Sequence, residues 1–178
     1  MMRKKLSMLV FAGAVLFMGC KQSVVNSDEA DNPPAPMQGE NFSFYSSSDM
    51  YEELREKGEK GKSGIGDAFE ITDVWRTEED DKKYLHIEVT HNKACDERFQ
   101  VVWNGAVAES YPPQTWLLVK LKAEDCPNLN SLTSDTLSLD LYKFLGDERY
   151  LADENMIFHV YNVSSDQDVN YDEPVSDS

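Results

Sequence analysis

The chain has 178 residues, with 33 acidic against 17 basic side chains and a formal charge of −16. One domain is expected at this length, and 40% hydrophobic with 11% aromatic residues is enough for an ordinary core, which excludes a wholly disordered chain. Charge of this sign argues against DNA, RNA and anionic headgroups as partners, because phosphate binding relies on clustered Lys and Arg.

In chain order, the basic cluster Arg3, Lys4, Lys5 precedes an uncharged apolar run of 13 residues, 6–18. A bilayer core of about 30 Å needs roughly 20 apolar residues, so this run is too short to span and has the length of a signal-peptide hydrophobic region. It ends in Phe17-Met18-Gly19-Cys20. There the chain resembles the bacterial lipoprotein signal, in which a small residue precedes a cysteine that is acylated and becomes the first residue after cleavage. The resemblance implies that residues 1–19 are removed, that Cys20 carries lipid, and that several acyl chains anchor the protein stably. Processing would remove three cations and take the charge to −19 on 159 residues. Lys21, where an Asp would favour inner-membrane retention, points to the outer membrane, with the domain facing either the periplasm or the exterior.

Residues 20–47 read as a lipidated cysteine followed by a tether, polar and carrying Pro33-Pro34-Ala35-Pro36. Residues 48–66 read as a short helix with a Gly-rich hinge. Asp49 and Glu52 fit a capping box, Met50, Tyr51 and Leu54 share a face, and Glu53 with Lys57 is a favourable pair. Gly58, Gly61, Gly64 and Gly66 are expected to end it. Gly61-Lys62-Ser63 imitates a phosphate-binding loop, but Glu56 stands where that loop needs glycine and a helix precedes it, so no nucleotide is expected.

From residue 67 to 163 the pattern is period two. Phe69 and Ile71, then Leu85, Ile87 and Val89, then Phe99, Val101 and Trp103 each alternate with polar or outward positions. So do Leu117, Val119 and Leu121, then Leu137, Leu139 and Leu141; residues 156–163 are apolar on both faces apart from His159 and Asn162. Six to eight strands with one apolar face predict an all-β antiparallel sandwich, immunoglobulin-like or similar, with one short N-terminal helix; a small β-barrel is the alternative. Glu78-Glu79-Asp80-Asp81 reads as a hairpin tip, and residues 164–178 as an acidic disordered tail. The body resembles small β-rich domains of exported lipoproteins in which a strand leads into a cysteine and then an F-x-V-x-W strand, here Cys95 and Phe99-Gln100-Val101-Val102-Trp103. That resemblance covers roughly residues 68–145 and implies a fold, with no activity attached.

With Cys20 assigned to lipid, Cys95 and Cys126 remain in an oxidising compartment, and a disulfide is the favoured reading. A metal at His91-x-x-x-Cys95 is the competing one. His86 and His91 differ by an odd number and fall on opposite strand faces, and neither C-x-x-C nor H-E-x-x-H is present, so no metal or cofactor is expected. Asp166-x-Asp168-x-Asn170 copies the start of a calcium loop but has Tyr171 where the loop requires glycine. No nucleophile elbow selects a serine and no catalytic residue is assigned, so an enzyme is not expected. The remaining feature is Tyr111-Pro112-Pro113-Gln114-Thr115-Trp116. Tyr111, Trp116 and Leu118 are the candidate ligand-binding residues, on a face shared with Lys120 and Lys122 and expected to be partly exposed. The opposing view has Trp116 capping the core, with Pro-Pro blocking strand extension at an edge. The function these readings predict is that of a lipid-anchored envelope binding or accessory protein, with an envelope protein or a glycan as partner. An exported hydrolase is the alternative.

Overall fold

A computed structural model describes residues 36–59, 65–94, 96–124, 131–146, 150, 153–165 and 167–171. The signal sequence, Cys20, Cys95, Cys126, Lys62 and Asp166 lie outside the described residues, and with them the lipid, disulfide, nucleotide-loop and calcium-loop readings.

Nine strands and two helices are described. They are β1 (Met37–Gln38), β2 (Phe42–Ser46), α1 (Ser48–Glu59), β3 (Phe69–Glu79), β4 (Lys82–Asn92), β5 (Asp96–Trp103), β6 (Gln114–Glu124), β7 (Leu132–Asp140), α2 (Leu141–Leu145), β8 (Ile157–Asn162) and β9 (Gln167–Tyr171). The strands form a six-stranded sheet in the order β1-β2-β5-β6-β8-β9 and a three-stranded sheet in the order β3-β4-β7. No closed barrel forms among the described residues. The sheets meet face to face over one core that takes Phe42, Phe44, Phe99, Leu117 and Phe158 from the larger sheet and Ile71, Leu85, Ile87, Val89 and Leu137 from the smaller. Every strand expected from alternation is present, and the inward residues are the apolar ones, because a pleated strand sends alternate side chains to opposite faces.

Five expectations are corrected. The larger sheet is mixed and not antiparallel, since β2 pairs parallel with β5 and β6 parallel with β8. Parallel neighbours need long crossovers, and both crossovers run through the smaller sheet: β3 and β4 lie between β2 and β5, and β7 with α2 between β6 and β8. The expected tether, 20–47, overlaps β1 and β2. Phe42 and Phe44 are buried core residues, and Asn41 O accepts from Phe99 N at 3.2 Å. The expected tail, 164–178, overlaps β9, which pairs antiparallel with β8. Leu141, expected to continue a strand, instead opens α2, where Asp140 accepts from the backbone of Tyr142 and Lys143 as an N-cap. The strand count is therefore nine, above the six to eight expected.

Two local features follow from residue chemistry. In the hairpin joining β3 to β4, Asp80 and Asp81 take φ of 49° and 61°. Both central residues are left-handed, the twist that suits a two-residue hairpin, and aspartate tolerates that region better than most side chains. On β3 the pairing slips between Ile71 and Asp73. This bulge restores Val74 to the core and sends Trp75 to the outer face, where strict alternation from Ile71 would have placed Trp75 inside.

Gly66 carries a testable constraint. Its φ is +143°, and a Cβ there would lie 2.6 Å from Leu121 O, the same oxygen that accepts from Asp67 N at 2.9 Å. Gly66→Ala is expected to cost about 1–3 kcal/mol, because the strained backbone and the clash with a main-chain atom cannot both be relieved. A urea midpoint matching the parent would show that the approach to β6 is looser than described.

Candidate functional site

The outer face of the larger sheet is covered by α1. Ser47 Oγ accepts from Met50 N at 3.3 Å and Ser47 O from Tyr51 N at 3.1 Å, so the cap falls on Ser47, two residues before Asp49. The helix then runs through Gly58 to Glu59, one residue beyond the glycine expected to end it. Its solvent side carries the Glu53–Lys57 pair and an Arg55 guanidinium shared between Glu52 (2.7 Å) and Glu59 (2.8 Å). Its inner side places Tyr51 and Leu54 on Val102, Leu118, Ile65 and Val163, a second apolar cluster separate from the inter-sheet core. Burying one Leu side chain contributes about 1.5–3 kcal/mol, so Leu54 on Leu118 is enough to seat the helix.

This corrects the expected exposure of the Trp116–Leu118 face. Leu118 is only 4% exposed. Between α1 and the sheet lies a groove of ≈ 400 Å³. Tyr51, Leu54 and Arg55 line it from the helix, and Trp116, Leu118 and Tyr161 from the sheet. Register explains the meeting: Trp116 pairs with His159 and Leu118 with Tyr161 across β6 and β8. The Trp116 indole stacks on the His159 ring at 5.0 Å and 6°, and His159 Nε2 lies 3.0 Å from Gln114 Oε1. Asn162 lies beneath, fully buried; it donates to Phe69 O at 2.6 Å and accepts from Ser164 N and Oγ, which ties β8 to β3.

Of the three candidate binding residues, two meet here. Tyr111 is 95% exposed, follows Ser110 in the connection before β6, and is not part of the groove lining. Nor does Trp116 cap the core. That place belongs to Trp103, whose Nε1 donates to Thr115 Oγ1 at 2.8 Å and Ala106 O at 3.1 Å. The Pro112-Pro113 pair does not mark a sheet edge either, since β6 is an interior strand. Tyr51 and Tyr161 were not singled out by sequence. Tyr51 was read only as part of an amphipathic helix face, and Tyr161 sat inside a strand apolar on both sides.

Burial, joined by the nearby Tyr161 phenol, pushes the Tyr51 hydroxyl up to about 12 from 10.0. Below pH 10 neither folded nor unfolded chain ionises this phenol. Between pH 10 and 12 the unfolded chain gives up a proton that the folded chain keeps, so stability falls across that window. In a spectrophotometric titration Tyr51→Phe is expected to remove a phenol step near pH 12. Loss of an early step in that variant would show that the phenol is solvated.

The histidines divide as their parity requires. His86 faces out from β4, 2.7 Å from Thr77 Oγ1 and 2.9 Å from Ser138 Oγ, and stacks on Trp75 at 5.1 Å. Burial holds its imidazole below the usual range, with Glu79 opposing. The groups at hydrogen-bond distance from its ring are the Thr77 and Ser138 hydroxyls, on the outer face of the smaller sheet. His91 is 1% exposed and faces the core. Its Nε2 lies 2.8 Å from Asp135 Oδ2, its Nδ1 3.0 Å from Asn92 O and 4.0 Å from Glu97 Oε2. Among the described residues, His91, Glu97 and Asp135 form a group whose ligand atoms lie close enough to hold a metal ion. Both ring nitrogens already face oxygen acceptors, so the arrangement joins the sheets more readily than it offers a lone pair.

A second groove of ≈ 440 Å³ lies between the β1–β2 end and the smaller sheet, lined by Gln38, Phe42, Lys82, Tyr84, Lys143 and Phe144 among others. None of the sequence-selected binding residues reaches it. No described helix is long and apolar enough to cross a membrane.

The fold and groove define a two-sheet, mostly β protein with a helix-covered outer face. No family model and no curated protein matches the chain. Among solved structures, an uncharacterized protein from Parabacteroides merdae ATCC 43184 aligns over 60% of this chain and 58% of its own, at 11% identity and a TM-score of 0.37.

Proposed function

We propose that the protein is a lipid-anchored binding or accessory protein of the cell envelope, held at the outer membrane through Cys20, that captures its ligand in the groove between α1 and the larger sheet. The observation that carries the binding reading is the convergence of Trp116, Leu118 and Tyr161 with Tyr51, Leu54 and Arg55 around one concavity of small-ligand size. The anchor reading is supported by the lipoprotein-like Phe17-Met18-Gly19-Cys20. A disulfide between Cys95 and Cys126 belongs to the same proposal: Asp96, next to Cys95, pairs in register with Glu124, two residues before Cys126. The sandwich would then be an exported scaffold, stapled near one end of β5 and β6, with its recognition surface under the helix.

Two variants test the two halves. Cys20→Ser should move the protein from the membrane pellet to the soluble fraction and abolish palmitate labelling; undiminished membrane retention would remove the anchor. Trp116→Ala in the mature chain should weaken binding of the envelope-derived ligand at least tenfold, while Tyr111→Ala should leave it unchanged. The reverse ranking would move the site to the 111–113 connection.

A further inference from the structure

We propose that the groove takes a quaternary ammonium cation, a free choline-type small molecule. This rests on the groove being the binding site and adds the chemistry of what fills it. Three aromatic side chains line the concavity: Trp116 and Tyr161 partly exposed, Tyr51 buried behind them. The face of an aromatic ring is electronegative and attracts a desolvated cation, with Trp and Tyr the strongest partners. Leu54, Leu118 and Val163 supply apolar surface for methyl groups.

The charges around the groove have the matching sign. Helix α1 carries Asp49, Glu52, Glu53, Glu56 and Glu59 against Arg55 and Lys57, and Lys120 on β6 adds one cation close enough to act on Glu53, which still leaves an acidic excess. Arg55 is the cation in the lining, and its guanidinium is neutralised by Glu52 and Glu59. Asp168 on β9 is close enough to act electrostatically on Tyr51. The acidic excess around the groove favours a cation over an anion, and aromatic side chains in the lining are the partners such a cation would use.

Part of the polar lining is already engaged within the protein. Hydroxyl-rich ligands need several available hydrogen-bonding groups. The Asn162 amide is spent on Phe69 and Ser164, and Arg55 and Glu59 are engaged with each other. A tetraalkylammonium makes no such demand. In a phosphatidylcholine headgroup the phosphate beside the ammonium would be driven against the acidic helix, which favours the free cation over the lipid.

Calorimetric titration of the mature, unacylated chain with choline and with its uncharged isostere 3,3-dimethylbutan-1-ol tests this directly. Choline should bind at least tenfold more tightly than the isostere, and Tyr161→Leu and Trp116→Leu should each weaken choline at least fivefold. Glu59→Gln, exposed and outside the core, should weaken it about twofold at low salt, so the test survives poor folding of an aromatic variant. Phosphatidylcholine vesicles should not retain the chain. Equal affinity for the two isosteres, no choline binding up to 100 mM, or retention on the vesicles would each overturn the proposal. If choline fails while an envelope ligand still maps to Trp116 and Tyr161, only the ammonium assignment falls and the groove reading stands.

Discussion

Replacing Cys95 by Ser is expected to lower stability by about 3–4 kcal/mol, the largest loss from any single substitution considered. The proposed bridge closes 32 residues, counting both ends, from β5 through β6. In the chain-entropy account, opening a loop of this size restores conformational freedom mainly to the unfolded chain and costs that much. A loss of 3–4 kcal/mol would be a large share of the about 5–15 kcal/mol available to a typical domain. For a domain of this size it corresponds to a fall in melting temperature on the order of 10 °C. Cys126→Ser should do the same, and the double variant should add little, because either change opens the same loop. Two reactive thiols in the mature protein without reductant, or fully additive single losses, would remove the disulfide from the proposal.

The second large effect is expected at His91. Its imidazole is packed edge-on against Phe99 at 5.3 Å and joins β4 to Asp135 on β7. Asp135 Oδ1 in turn accepts from Asn41 Nδ2 at 3.1 Å, and Glu97 Oε2 accepts from Ala94 N at 2.9 Å. Asn41 leads into β2 and Glu97 lies on β5, so the cluster draws together both sheets at one end of the sandwich. His91 Nδ1 lies 3.0 Å from Asn92 O and Nε2 2.8 Å from Asp135 Oδ2, so both ring nitrogens are within hydrogen-bond reach of an oxygen. His91→Ala leaves a ring-sized void and takes the ring partner from Asp135 Oδ2, and is expected to cost about 3 kcal/mol. His91→Phe keeps a ring against Phe99, slightly larger than the imidazole, and loses the polar contacts, about 1–2 kcal/mol. If the two variants melted together with the parent, the inter-sheet cluster would contribute no stability.

How far the sequence carried the account depends on where the decisive contacts lie. Strands β3 to β8 were legible because their inward residues alternate within one segment, Leu85-Ile87-Val89 most clearly. Strand β2 was hidden although Phe42 and Phe44 alternate, because its parallel partner β5 is more than fifty residues away and the stretch before it is polar. Strand β9 was hidden because its sequence, QDVNY, is mostly polar and it takes its register from β8. Trp75 was not placed on the outer face because one extra residue at the β3 bulge reverses the parity. The site shows the same division. Trp116 and Leu118 could be chosen from a strand beside a proline pair, but what makes them a groove is α1 lying across them. Neither the helix's partner nor the Leu118–Tyr161 register can be read from local spacing.

The central claim is that ligand enters between α1 and the outer face of the larger sheet. Amide and indole NMR signals of the mature chain, followed while fractionated envelope extract is added, test it most directly. The active fraction should shift Tyr51 to Glu59, the Trp116 indole, Leu118 and Tyr161 together, and leave Tyr111 and the Asp80-Asp81 turn unmoved. Shifts confined to Tyr111, to that turn or to the Trp75–His86 face, with the Trp116 indole unchanged, would contradict it.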